Sequence, residues 1–412
     1  MPFRTALSGL NAAQSELRII GNNIANSATS GFKKSRAEFS DLLATSNLGA
    51  GGNAIGSGVQ IAQISQQFSQ GVVTFTDNNL DLAISGGGFF VVDDAGARSY
   101  SRAGNFGVDQ SGEIVNSQNQ TLVAFQADSA GNILSNTGPL QLNLSDINPA
   151  QTKGIDIGVN LDASSPIIAG AIDPNDSNTY NSSTSLSVFD SQGASHLAAV
   201  YFQKTAANSW QTALYIDGVN VPEDAGENGI VNFGTDGTIV AGAANSTVVY
   251  DPAYNPNAGV TAAMPLTINY DATTPSTQYG SSFNINSLVQ DGYTTGRISS
   301  LDIGETGVVQ ARFTNGQNRV MGQIALANFS NPQGLVAIGG NAWVEGFSSG
   351  QPVIAAPGSG TLGVIQSGAL EGSNVDITEQ LVGMITAQRD FQANAQVISV
   401  ADAMTQTIIN LR

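Results

Sequence analysis

The two ends of this chain carry the same kind of pattern, and neither can bury its apolar side within its own segment. From Phe3 to Ile24, the residues Phe3, Leu7, Leu10, Ala13, Leu17, Ile20 and Ile24 recur at steps of three and four. From Ile377 to the last turn, Ile377, Leu381, Met384, Phe391, Ala395, Ile398, Ala401, Met404, Ile408 and Leu411 do the same. Each segment reads as an amphipathic helix with one apolar seam. Two such seams at opposite ends of one chain predict a coiled-coil pair made from the termini. That is a feature of assembly before it is anything else.

Nearly everything between the ends reads as β-structure. The 47 glycines among 412 residues exceed ordinary usage and point to many tight turns. Leu80, Leu82 and Ile84 alternate with Asp81 and Ala83, as in a half-buried strand. Asn315-Gly316, between β-rich runs, predicts a type I′ hairpin. Phe32 to Leu43 reads as a second short helix contacting through Phe39, Leu42 and Leu43, and the Gly/Asn/Ser/Ala-rich stretch Leu48 to Gly58 as a mobile linker.

A change in turn composition near Asn148-Pro149-Ala150, and the later return of the earlier strand style, indicate one β-domain inserted in another. The expected division has residues 1–30 with 372–412 as the helical pair and 31–70 as an extended linking segment. It has 71–150 with 285–371 as a first β-domain, and 151–284 as the inserted outer β-domain. The fold class is therefore mixed but mainly β: two all-β domains and an α-helical coiled-coil domain.

Composition excludes several functions. The formal net charge is −18, and from Ala103 to Gly296 the basic side chains are Lys153 and Lys204 alone, His196 aside. Nucleic-acid binding needs clustered Lys and Arg, so it is not expected. With no cysteine there is no disulfide and no thiolate metal site. No run of about 18 apolar residues offers a membrane span, and Met1 to Arg18 lacks the apolar core of a secretory signal.

Candidate chemistry is sparse. His196, the single histidine, follows the Asp190-Ser191-Gln192-Gly193 turn and reads as a structural strand residue. Gly86-Gly87-Gly88 lacks the Lys-Ser/Thr of a phosphate loop. Asp173-Pro174-Asn175-Asp176 lacks the closing Glu of a calcium loop. No catalytic residue, cofactor or metal is expected. Asn22, Asn23 and Asn26 read as helix caps, and Gly9 and Gly21 either as places where helices approach closely, each against a propensity cost of about 1 kcal/mol, or as a frayed start and a stop of the first helix.

Three stretches carry a family likeness. Gly21-Asn22-Asn23-Ile24-Ala25-Asn26, followed by Thr29, Gly31, Phe32 and Lys33, resembles the N-terminal signature of bacterial flagellar axial proteins, the rod, hook and hook-associated group. Gly368-Ala369-Leu370-Glu371-Gly372-Ser373-Asn374-Val375-Asp376, leading into Gln388-Arg389-Asp390-Phe391-Gln392-Ala393-Asn394-Ala395, resembles its C-terminal partner. Leu80 to Ile84, Gly88-Phe89-Phe90 and Arg102-Ala103-Gly104-Asn105-Phe106 resemble the first β-domain of hook and distal rod proteins. Length and the inserted domain are most similar to the hook members.

The resemblance implies a curved, flexible helical tube that transmits torque from rod to filament. It implies paired terminal helices inside, β-domains outward and partners that are copies of the same chain. Flagellar rod, hook-cap and hook–filament junction proteins are the other implied partners, and the type III export apparatus the implied route out of the cell. Phe3, Leu7, Leu10, Leu17, Ile24, Asn22, Asn23, Asn26, Phe32, Ile377, Leu381, Met384, Phe391, Ile398, Met404, Ile408 and Leu411 are the expected self-assembly residues. The ends are expected to be largely disordered until neighbours cover them. A distal rod or other axial subunit is the alternative within the group, and a secreted β-rich binding protein or hydrolase the alternative outside it.

Overall fold

The structure is a computed structural model that describes residues 2–42, 56–128, 130–143, 145–224, 228–240, 242, 246–256 and 262–410. The chain divides into two compact units. Unit 1 is Met1–Leu144, Ser300–Arg312 and Asn318–Arg412; unit 2 is Ser145–Ser299 and Phe313–Gln317. The fold is mainly β, with one long helix at each end. Among the described residues, no helix is long and apolar enough to cross a membrane.

In unit 1, α1 (Pro2–Ala25) packs against α2 (Ile377–Asn410). After α1 comes an antiparallel ribbon of β1 (Ser35–Asp41) and β2 (Val59–Gln66). The short helix expected over Phe32 to Leu43 is therefore absent, and β1 stands in its place. From Ser35 to Phe39 charged residues alternate with small or apolar ones at period two, and antiparallel pairing with Val59–Gln66 decides for the strand. A two-stranded ribbon is marginal alone; this one lies against α1. Residues 48–55 of the expected linker lie outside the described residues.

The β-body of unit 1 is a sheet running Ile298–Ile303, Val308–Phe313, Asn318–Ile324, Thr121–Ala127, Phe89–Asp94, Ala97–Ser101, Ala342–Val344 and Val336–Gly339. Its central strand is buried on both faces, which explains the unbroken run Phe89-Phe90-Val91-Val92. Phe90 and Val92 join Leu82, Ile84, Leu122 and Ile324 in one core, while Phe89 and Val91 join Tyr100, Phe329 and Trp343 in another.

The turn at Asn315-Gly316 differs from the type I′ expectation. That turn needs positive φ at both central residues, and only Gly316 has it, at +81°. Gly316 N donates to Phe313 O and Phe313 N to Gln317 O. Asn315 instead donates its side-chain amide to Thr294 O at 2.8 Å.

Unit 2 has two sheets around one core. One runs Thr247–Val249, Thr267–Asn269, Gly154–Asn160 and Asn284–Gln290. The other runs Ser182–Phe189, Ser195–Ala206, Ser209–Ile216 and Val219–Val221, with Ile230–Asn232 also on Ser209–Ile216. Strict alternation of burial along Ser209–Ile216 sends Trp210, Leu214 and Ile216 inward to meet Ile155, Ile157 and Val159. Trp210 satisfies its one donor on Gln278 Oε1 at 2.8 Å.

Candidate assembly site

The helix pair meets through small residues. Ala6, Ala13, Ile20 and Asn23 of α1 are buried, as are Gln380 and Ala387 of α2. Leu10, Leu17, Met384, Phe391, Asn394, Ile398 and Ala401 are half-buried beside them. A Cβ on Gly9 would stand 2.6 Å from Asn394 Oδ1, so the Asn394 side chain fills the space that a side chain on α1 would take. Gly21 has open space where its Cβ would be, and α1 runs straight through it to Ala25. Glu16, at the edge of the seam, has its pKa raised by partial burial and then by Asp390 across the pair.

This seam is rotated from the expected one. Of the expected residues, Leu10, Leu17, Ile24, Met384, Phe391 and Ile398 lie at or beside it. Phe3, Leu7, Ile377, Leu381 and Met404 are exposed instead. Of Ile408 only the backbone is described, and Leu411 lies outside the described residues. Ala13 and Ile20 of the expected seam are buried in the pair, and close packing adds Ala6, Gly9 and Ala387 in place of the larger exposed side chains. Those small residues also recur at steps of three and four, which is the signal that could have found them.

Val382, Ile385, Val397, Val400 and Ile409 are exposed as well. The helices run antiparallel, with Asn23 beside Gln380 and Gly9 beside Asn394. At about 1.5 Å rise per residue, the start of α1 at Pro2 falls level with roughly Ala401, so the stretch of α2 from Met404 onward overhangs its partner.

Asn23 does not cap α1. Its Nδ2 donates to Ser35 O at 2.8 Å and to Gln380 Oε1 at 3.0 Å, while its Oδ1 accepts from Ser35 N at 3.0 Å. It thereby ties helix, ribbon and partner helix together. Asn26 does serve the helix end, with both its backbone and side-chain nitrogens donating to Asn22 O. Exposed Asn22 contributes that carbonyl. Phe32, half-buried, accepts from Asn374 N through its carbonyl.

Beyond the helices, the quoted family stretches converge on a buried ionic cluster. Glu371 Oε1 receives Lys33 Nζ at 2.6 Å and Gly71 N at 2.9 Å. Its Oε2 receives Arg102 Nη1 at 2.9 Å. Lys33 also donates to Ser69 O, and Arg102 to Gly86 O while lying over the Phe89 ring. Burial, together with the nearby Arg102 charge, lowers the Lys33 pKa against the raising effect of Glu371. Gly31, at φ +72°, packs onto the Ala103 backbone and donates its N–H to Glu371 O. Asn374 accepts from Lys34 N and donates to Gln67 O and Ser69 O.

Four family models match this chain. "Flagella basal body rod protein" covers residues 3–33 and "Flagellar basal body rod FlgEFG protein C-terminal" 366–411. "Flagellar hook protein FlgE/F/G D1 domain" covers 83–163 and "Flagellar basal body protein FlaE D2 domain" 160–293. The chain is 37% identical to the flagellar hook protein FlgE of Escherichia coli (strain K12), over 100% of both chains. It is 36% identical to that of Salmonella typhimurium, again over 100% of both. The chain belongs to the flagellar hook protein family.

A solved hook protein, FlgE2 of Helicobacter pylori, shares the fold with a TM-score of 0.54 at 15% identity, covering 72% of this chain and 100% of that one. Within this hook-family chain, the N-terminal match ends at Lys33 and the C-terminal match contains Glu371. The two terminal family segments are thus joined by a buried ion pair as well as by their helices.

Proposed function

We propose that this chain is the structural subunit of the bacterial flagellar hook, self-assembling into a curved, flexible helical tube that transmits torque from rod to filament. The observation that carries this reading is the division of labour on the terminal helices. Small residues close the pair, and Phe3, Leu7, Val400, Met404 and Ile409 are left largely exposed among the described residues. Each such side chain gains about 1.5–3 kcal/mol when buried, so neighbouring copies gain by covering them. Helices of a hook-family chain that expose this much apolar surface are parts of a larger packed wall.

In this reading the ends order fully only on assembly, and the subunit works outside the cell, delivered through the flagellar type III export apparatus. It sits between rod and hook–filament junction proteins beneath a hook cap. Residues 151–284 form the outer, inserted domain. The family is a structural one, and no catalytic role is assigned.

Electron microscopy of the purified full-length protein tests the central claim. Tubes of constant diameter are expected, lost on replacing Val400 and Met404 by serine. Normal bent tubes from a variant lacking 2–25 and 377–412 would remove the basis of the proposal.

A further inference from the structure

The single histidine of the chain lies in unit 2 between two carboxylates. His196, buried at the start of the strand Ser195–Ala206, has Nδ1 2.6 Å from Asp217 Oδ2 and Nε2 3.4 Å from Asp190 Oδ2. Ionised carboxylates only accept hydrogen bonds, and a neutral imidazole owns one N–H. Only the imidazolium can donate in both directions, so this geometry selects the charged ring.

Each carboxylate also organises a turn. Asp190 Oδ1 accepts from Gln192 N and Ala194 N, both at 2.9 Å. Asp217, in the left-handed region at φ +51°, accepts Leu197 N on Oδ1 at 2.9 Å. The ring joins the two turns. The Asp190 turn is itself wedged in place, because a Cβ on Gly193 would stand 2.8 Å from Pro149 Cβ and 3.3 Å from Thr294 Oγ1. Pro149 and Thr294 flank Ala150 and Tyr293, which bridge to each other.

We propose that Asp190, His196 and Asp217 form a protonation-dependent clasp. While the ring is charged it ties the Asp190 and Asp217 turns to each other; when the ring is neutral, it can hold only one of them and the Asp190 turn loosens.

The groups acting on the ring are Asp217 and Asp190. Val188 lies opposite His196 on the neighbouring strand, and Tyr254 faces Asp217 with its phenol pKa raised by burial and that carboxylate. Burial lowers the His196 pKa, but the hydrogen bonds and charges of Asp217 and Asp190 together outweigh it, and the net value lies above the ordinary 6.5. A raised value places the sign. The clasp's contribution is whole below the unfolded pKa of about 6.5 and is lost as pH rises through the folded value.

A chain with one histidine gives one set of imidazole resonances, so NMR titration of the full-length monomer is unambiguous. The expected result is a midpoint above the free value, with both ring nitrogens protonated below that midpoint. In D217N that midpoint falls by about one pH unit, a roughly tenfold change in proton affinity. Exchange of the Gln192 and Ala194 amides, corrected for intrinsic rates, should rise in step with the ring's titration. A wild-type midpoint at or below the free value, or amide exchange indifferent to the titration, overturns the clasp. Because both decisive readings use the wild type, they stand even if D217N fails to fold.

Discussion

Lys33 and Glu371 are 338 residues apart in sequence and 2.6 Å apart in space, with both side chains fully out of solvent. The pair closes the chain on itself just beyond the two helices. It sets where α1's continuation meets α2's approach, and Arg102 pins the same carboxylate to the β-body. A buried charge left without its partner is among the most costly single defects a core can hold.

Removing Glu371 should therefore be severe. E371A strands Lys33 and Arg102, and is expected to cost unit 1 about 3–5 kcal/mol. Replacing all three members by methionine should recover much of that loss, since well-packed apolar substitutes commonly match a buried ion network. Urea unfolding of the three proteins measures both effects; an E371A midpoint equal to wild type would show that the cluster contributes nothing.

Gly9 and Gly21 should respond oppositely to substitution. G9L drives a bulky side chain into the Asn394 side chain, and is expected to separate the helices and abolish tube formation. G21A meets open space and should gain up to about 1 kcal/mol of helix propensity. Circular dichroism and electron microscopy of both variants, compared side by side, check the contrast.

Gly104 marks a place where the β-body tolerates no side chain. A Cβ there would stand 1.7 Å from Leu82 O, a backbone atom on a core strand that cannot step aside. G104A should cost about 3 kcal/mol or more, comparable to severe overpacking, and should expose unit 1 to limited proteolysis while unit 2 resists. Uniform protease resistance in the variant would count against the steric reading.

Ile409 and Met404 should matter to the polymer and not to the single chain. Both lie on the overhanging part of α2, 68% and 65% exposed, with no partner from α1 to lose. I409S with M404S is expected to leave the unfolding midpoint of the monomer within about 0.5 kcal/mol of wild type, yet raise the concentration needed for assembly at least about tenfold. Sedimentation against protein concentration reads this directly.

Much of the architecture was legible in the residues themselves. Period-three-and-four seams at both ends specified the helices, and glycine-rich, alternating runs specified the β-structure, because these patterns follow from local geometry that a short window samples completely. The Gly-Phe-Lys and Glu-Gly-Ser-Asn stretches carried the family likeness on their own. Phe32 to Leu43 was misread because its few apolar residues suit two periods, and only pairing with Val59–Gln66 decides between them.

What the sequence alone determined is that this chain has two helical ends that need partners and a β-rich middle with little basic charge. What tertiary structure decided is which face of each helix closes the pair, and that Lys33, Arg102 and Glu371 meet. The reason is physical: an amphipathic period states that a face will be buried, but not by what. The Asn394 side chain seated on Gly9 leaves no room for a large residue there, and a contact spanning most of the chain exists only once the β-body has brought its two flanks together.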